Sequence, residues 1–140
     1  MIPDLPSVVT ARLRAECAVL RDVGSAAGLD AVEDHLAAVP AAYVIPLAER
    51  PTEPPTAAQF SQLVDVAVGV VVVVSNASAY GERDISELVA VRRAVFAALL
   101  SWVPEGCLQG FAFGGGCLIK LSNNLLWWQD DFVTNYQEVL

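Results

Sequence analysis

His35 is the only histidine in this 140-residue chain, so any Ser-His-Asp or Cys-His arrangement would have to be built on it. It falls in a predicted helix between Asp34 and Leu36, where a surface histidine is the better reading. Cys17, His35, Cys107 and Cys117 have the right count for a zinc centre, but no pair has the short CxxC-like spacing of a metal knuckle. Gly114-Gly115-Gly116 lacks the Gly-Lys-Ser/Thr of a phosphate loop and does not fit GxGxxG. It reads instead as a bulge or a tight approach between strands. Asp130 and Asp131 cannot act as a carboxylate pair on one strand, because adjacent residues point to opposite faces. Asn76-Ala77-Ser78 matches a glycosylation acceptor but carries no weight without a secretion signal. The expectation is a protein that is not an enzyme, with no cofactor and no metal.

The most distinctive spacing belongs to Trp128, Asp130, Phe132, Thr134 and Tyr136, which recur at every second position. On a strand these five share one face. A pure core face would not need Asp130 or Thr134, and a plain solvent face would not spend three aromatics. Such a strand both packs and holds a neighbour, the first sign of a chain that works by assembling. Trp127 and Trp128 send one indole to each face.

Composition points the same way. Hydrophobic residues make up 55% of the chain against 17% charged, and the mean hydropathy is +0.50. That is more apolar surface than one small globule readily hides, which favours an oligomer. The longest apolar run, Val66 to Val74, is too short for a spanning helix, which needs about 20 residues, and its valines prefer a strand. Met1 to Thr10 lacks a basic start and an apolar middle, so no signal peptide is expected and the protein is read as soluble and cytoplasmically made. A net charge of −8 argues against wrapping nucleic acid. Acidity serves solubility, or lines a channel through which DNA slides without sticking. Three widely spaced cysteines suggest reduced thiols.

Along the chain, Leu5, Val9, Leu13, Cys17 and Leu20 predict a helix over 5–20, capped by Asp4 or Ser7 with Pro6 in the first turn. A short strand through Val19 to Val23 can follow. Asp30 with Glu33 resembles a capping box for a helix that Pro40 ends. Ala41 to Ala48 reads as a strand in which Pro46 forces an edge or bulge. Arg50 to Thr56 is a stiff Pro-rich loop, and Gln59 to Val74 a long strand. At about 3.3 Å per residue that strand reaches roughly 53 Å, against about 37 Å across a compact domain of this size. A projecting hairpin, Ala48 to Val66, is the favoured resolution. Ser75 to Gly81 is a polar turn. Asp84 with Glu87 suggests a capping box opening a helix to Trp102, its stripe formed by Ile85, Leu88, Val89, Val95, Phe96 and Leu99, with Arg92 and Arg93 elsewhere on the cylinder. Leu108 to Phe113 and Cys117 to Leu121 form a strand or pair, and a turn through Ser122, Asn123 and Asn124 leads to a last strand, Leu125 to Tyr136. The fold class is α+β: one domain over 1–140, an antiparallel sheet of about four main strands, helices on one face, and a projecting hairpin.

These segments together resemble the phage tail terminator (tail completion) family, particularly its Mu-like members. The matching pieces are Pro40-Ala41-Ala42-Tyr43-Val44-Ile45-Pro46-Leu47, then the strand Gln62 to Asn76. Leu88-Val89-Ala90-Val91-Arg92-Arg93 follows, running to Ala98-Leu99-Leu100-Ser101-Trp102-Val103-Pro104. Gly114-Gly115-Gly116 with Cys117-Leu118, and the closing row Trp128 to Tyr136, complete the set. The resemblance covers roughly residues 40 to 137, and it lies in the order and spacing of the pieces. It implies a virion protein of the tail or neck, assembled in the host cytoplasm as a homo-oligomeric ring, typically hexameric. The ring would cap the tail tube, stop its polymerisation and join the head connector, with the tail sheath as a further optional partner. Double-stranded DNA would pass through the lumen without specific binding, and no membrane is involved.

A ring demands a heterologous contact between two different patches. The hairpin supplies candidates Arg50, Glu53, Gln59 and Gln62 for one, and the terminal strand supplies Trp128, Asp130, Phe132 and Tyr136 for the other. Three other readings stay open: a connector, neck or tube protein of the same virion, a small cytosolic enzyme using Cys107 or Cys117, and a dimeric ligand-binding module.

Overall fold

The computed structural model describes residues 1–56, 58–75 and 85–140. Asn76-Ala77-Ser78, most of the polar turn and the Asp84 cap lie outside the described residues. Among those described, the elements are α1 (Leu5–Glu16), β1 (Asp22–Ser25), α2 (Leu29–His35), β2 (Ala41–Pro51), β3 (Ser61–Ser75), α3 (Ser86–Leu99), β4 (Ala112–Ser122) and β5 (Leu125–Val139). The strands form one sheet in the order β1-β2-β3-β5-β4.

Local chemistry explains most boundaries. The Asp4 carboxylate accepts from the Ser7 N–H at 3.4 Å and Pro6 occupies the first turn of α1. Leu5, Val9 and Leu13 of that helix are buried together with Cys17. Pro46 interrupts β2 as expected, with the register shifting between Pro46 and Ala48. Asn123 and Asn124 both have positive φ, 53° and 62°, and join Ser122 to its register partner Leu125. Two left-handed residues in a two-residue loop match the twist of the strands they connect. α3 stops at Leu99 rather than Trp102, because Leu100 turns extended and bridges to Phe111.

The α+β class holds, with two departures from a simple antiparallel sheet. β1 pairs in parallel with β2, Asp22 opposite Ala41 through Ser25 opposite Val44. A parallel pair needs a crossover, and α2 is that crossover. It therefore packs on the face opposite α1 and α3, so the helices are not all on one side. Val32 of α2 is buried with Ala41, Tyr43, Ile45, Val71, Val73 and Trp127. The other face holds the larger core, where α1 and α3 cover Val44, Val68, Val70, Val72 and Phe132. The valine run is thus buried on both faces. The capping box expected from Asp30 and Glu33 does not form. Gly28 takes the cap position without a side-chain bond, and Asp30 lies in the first turn.

The β2–β3 hairpin, expected to project over Ala48 to Val66, is not a free two-stranded arm: Val64 and Val66 of β3 are buried in the larger core. β5 accompanies β3 along its whole length, from Ser75 opposite Leu125 to Ser61 opposite Val139. Residues 46–56 and 58–60 are all exposed. The Pro-rich loop is organised by backbone bonds from Thr52 to Leu63 and from Thr56 to Ser61.

Candidate assembly surfaces

The aromatic row on β5 faces α1 and α3. Asp130 and Phe132 are wholly buried, Thr134 and Tyr136 nearly so, and Trp128 is half-buried. Asp130 accepts from Arg92 Nε and Nη2, both at 2.9 Å, and from Trp128 Nε1 at 2.9 Å. The Arg92 guanidinium also lies 4.8 Å from the centre of the Trp128 ring and 5.3 Å from that of Phe96. A buried carboxylate is costly unless its lone pairs are filled; here a planar fork and an indole fill them. Gly116 completes the arrangement, since a Cβ there would meet Asp130 Oδ1 at 2.5 Å. The neighbouring register shift between Phe113 and Gly115, with φ +129° at Gly115, is the bulge expected of the glycine triplet.

This constellation fixes α3 to the sheet. It is built for holding, not for reaction. Arg92, read as lying away from the core, turns inward, because the carboxylate it needs lies 38 residues away in sequence. Asp130, Phe132 and Tyr136 are consequently spent inside the subunit and offer no side chain to a sister copy. An arginine facing an Asp set among aromatics on a strand is the signal that could have located the pair. Asp131, as expected, points the other way and accepts from Gln129 at 2.9 Å.

The remaining chemistry is sparse. Among the described residues no group of three His, Cys, Asp or Glu side chains is placed to hold a metal ion. Cys17 is buried with its thiol on the Ala94 carbonyl at 3.4 Å. Burial pushes its pKa up, and that of Cys107 as well, although a bond with Thr134 lowers the latter in part. Both changes make a thiolate harder to form and weaken a nucleophile. Cys117 is exposed on β4.

Four surfaces are open among the described residues. The hairpin carries Arg50, Glu53 and Gln59 exposed and Gln62 half-buried. Gln62 donates to the Glu53 carbonyl at 2.8 Å and Gln59 to that of Leu140 at 3.3 Å, so two of these four also hold the tip together. Around that tip the chain ends converge, with Met1 bound to Glu138 and Leu140 to Phe60. Met1, Ile2, Phe60, Val139 and Leu140 are exposed there. A second surface is β4, which has a strand neighbour on one side only and exposes Phe113, Leu118 and Leu121. A third is the outer edge of β2 beyond Val44, where pairing with β1 ends. The fourth is the half of the sheet face that α2 leaves bare. Unpaired strand edges and clustered exposed apolar groups are the usual marks of surfaces meant for other chains.

Comparison with known proteins agrees with the sequence pattern. No curated protein matched the chain. A family model described as phage tail terminator protein matches residues 4–138. Matched over nearly its whole length, the chain belongs to the phage tail terminator family, structural proteins of phage tail assembly.

Proposed function

We propose that this chain, acting as one domain, forms a homo-oligomeric ring, most simply a hexamer, that caps the tail tube. The ring stops tube polymerisation and presents its far surface to the head connector, with DNA passing through the lumen. The observation that carries the reading is a sheet with an open edge on each side. β4 on one flank and the distal half of β2 on the other leave strand edges unpaired in the isolated subunit. Different edges on opposite flanks favour a head-to-tail contact, the kind that closes rings. The apolar tip at Phe60, Val139 and Leu140 gives such a ring an end that can seat on tube subunits. The acidic balance of the chain suits a lumen that must not grip DNA.

The test is to add the purified protein to polymerising tail tube protein and measure tube lengths by electron microscopy. Capping yields short tubes whose length falls as the protein is raised. Tubes as long as those grown without it would reject the proposal, and incorporation along the tube wall would indicate a tube protein instead.

A further inference from the structure

The half of the sheet face that α2 leaves bare is not built like a solvent face. Ala48, Ala67, Val133 and Ala112 stand in register on four consecutive strands, a row of small side chains running across the sheet. The next row holds Asp65 and Asn135, and together these six residues line an open cleft of about 510 Å³. Asn135 is 8% exposed, and its Oδ1 has no hydrogen-bond partner among the described residues. A buried amide oxygen left so is destabilising, which a donor brought by another chain would remove. Asp65 is exposed, and neither it nor its register neighbour Arg50 is among the ion pairs formed by the described residues.

On the opposite side of the molecule α3 shows a matching pattern. Its outward positions Ala90, Arg93 and Ala97 are exposed. Arg92 beside them is consumed by Asp130, whereas Arg93 makes no hydrogen bond or ion pair with any described residue. The cleft holds a carboxylate and an unpartnered amide oxygen beside a single guanidinium, Arg50, and α3 holds out a second guanidinium with no described partner. Both are flanked by alanines, which let a helix lie close against a sheet. The two surfaces sit on opposite faces of the same sheet, so Arg93 cannot reach the cleft of its own chain. Two copies can make that contact, and only head to tail.

We propose that α3 of one copy lies across the Ala48–Ala67–Val133–Ala112 row of the next, with Arg93 of the first copy reaching Asp65 and Asn135 of the second. This rests on the ring reading above and deepens it by naming the contact. A guanidinium suits the site because its planar fork can serve a carboxylate and an amide oxygen at once.

The experiment is sedimentation velocity of the wild-type chain, Arg93→Glu, Asp65→Arg, the Arg93→Glu/Asp65→Arg double variant and Ala67→Trp, with circular dichroism to confirm folding. The wild type is expected to assemble with rising concentration. Each single charge reversal should weaken assembly about 30-fold or more, the scale seen when one partner of a desolvated charge pair is lost. The double variant should recover most of it, and Ala67→Trp should block assembly by filling the cleft. Failure of the double variant to recover would overturn the Arg93–Asp65 pairing. Normal assembly by Arg93→Glu and Ala67→Trp would overturn the docking while leaving the ring intact. A wild type that stays monomeric at every concentration yet still shortens tubes would overturn the docking and spare the capping role.

Discussion

Arg92 on α3 and Asp130 on β5 form a two-pronged ion pair, 2.9 Å on both prongs, with the carboxylate completely shielded from solvent and the guanidinium one quarter exposed. Removing either partner strands a buried charge, which costs about 3–5 kcal/mol, whereas replacing both with apolar groups of similar size is often neutral. Asp130→Ala and Arg92→Met should each lower unfolding free energy by about 3 kcal/mol, and Arg92→Met/Asp130→Leu should recover most of that loss. Urea denaturation followed by tryptophan fluorescence reads it out, with Trp128 as a reporter beside the pair. Single variants within about 1 kcal/mol of wild type would mean the pair is not structural.

Gly116 is confined by the same pair. An added methyl would meet Asp130 Oδ1 at 2.5 Å and Trp128 Nε1 at 3.0 Å, and Arg92 holds both in place. Gly116→Ala should therefore cost about 1–3 kcal/mol, the range for overpacking a well-filled site. Gly114→Ala, whose first contact is Val133 Cγ1 at 3.2 Å, should cost less. Thermal midpoints of the two variants, measured side by side, decide the order.

Alkaline pH should weaken the fold. Burial first, and then its hydrogen bond to Asp22, push the Tyr43 phenol above its usual range. Burial and then Glu49 raise Tyr136, and burial raises the Cys17 and Cys107 thiols. In each case the folded state holds its proton more tightly than the unfolded chain does. The stabilisation is complete below the unfolded values and is lost as pH climbs through the folded ones. Urea midpoints should be level to about pH 8 and fall steadily above about pH 9. Tyr43→Phe, apart from a constant loss of about 1 kcal/mol for the missing bond, should flatten part of that slope. A midpoint unchanged between pH 8 and pH 10.5 contradicts this.

Replacing residues 50–56 by a short Gly-Ser turn should leave the core folded while weakening ring formation. β3 keeps its full pairing with β5, and the valines buried deepest in the core, Val68 to Val74, lie beyond the register positions of the replaced residues, of which only Pro51 faces a buried valine, Val64. Dichroism and particle mass separate the two effects. A shortened variant that assembles at wild-type concentration would remove the loop from the contact.

Period-two patterning made β5 legible, because a sheet face is written in alternate residues and the Trp128–Tyr136 row is unbroken. Turn chemistry did the same at Pro46 and at Asn123-Asn124, where φ requirements are local. What stayed hidden depends on distant partners. The parallel pairing of Asp22–Ser25 with Ala41–Val44 has no local signature in four residues, so the side on which α2 lands could not be read. Arg92 looked solvent-facing because helical periodicity records which positions are apolar, and a charged residue that finds a carboxylate across the core breaks that code. The same blindness made Asp130 and Tyr136 look like interface groups, since polar atoms on an aromatic row fit a buried network as well as a shared one. Open edges at β4 and distal β2 follow from strand order alone, which no single segment specifies.

The sheet is packed front and back near Val71 and Val72, but only on one side toward Val64 and Tyr136. Resistance to bending must therefore decline along the strands, from a stiff root to a springy lip. A collar made of such units could hold a constant bore at one rim while its other rim yields to whatever it is pressed against.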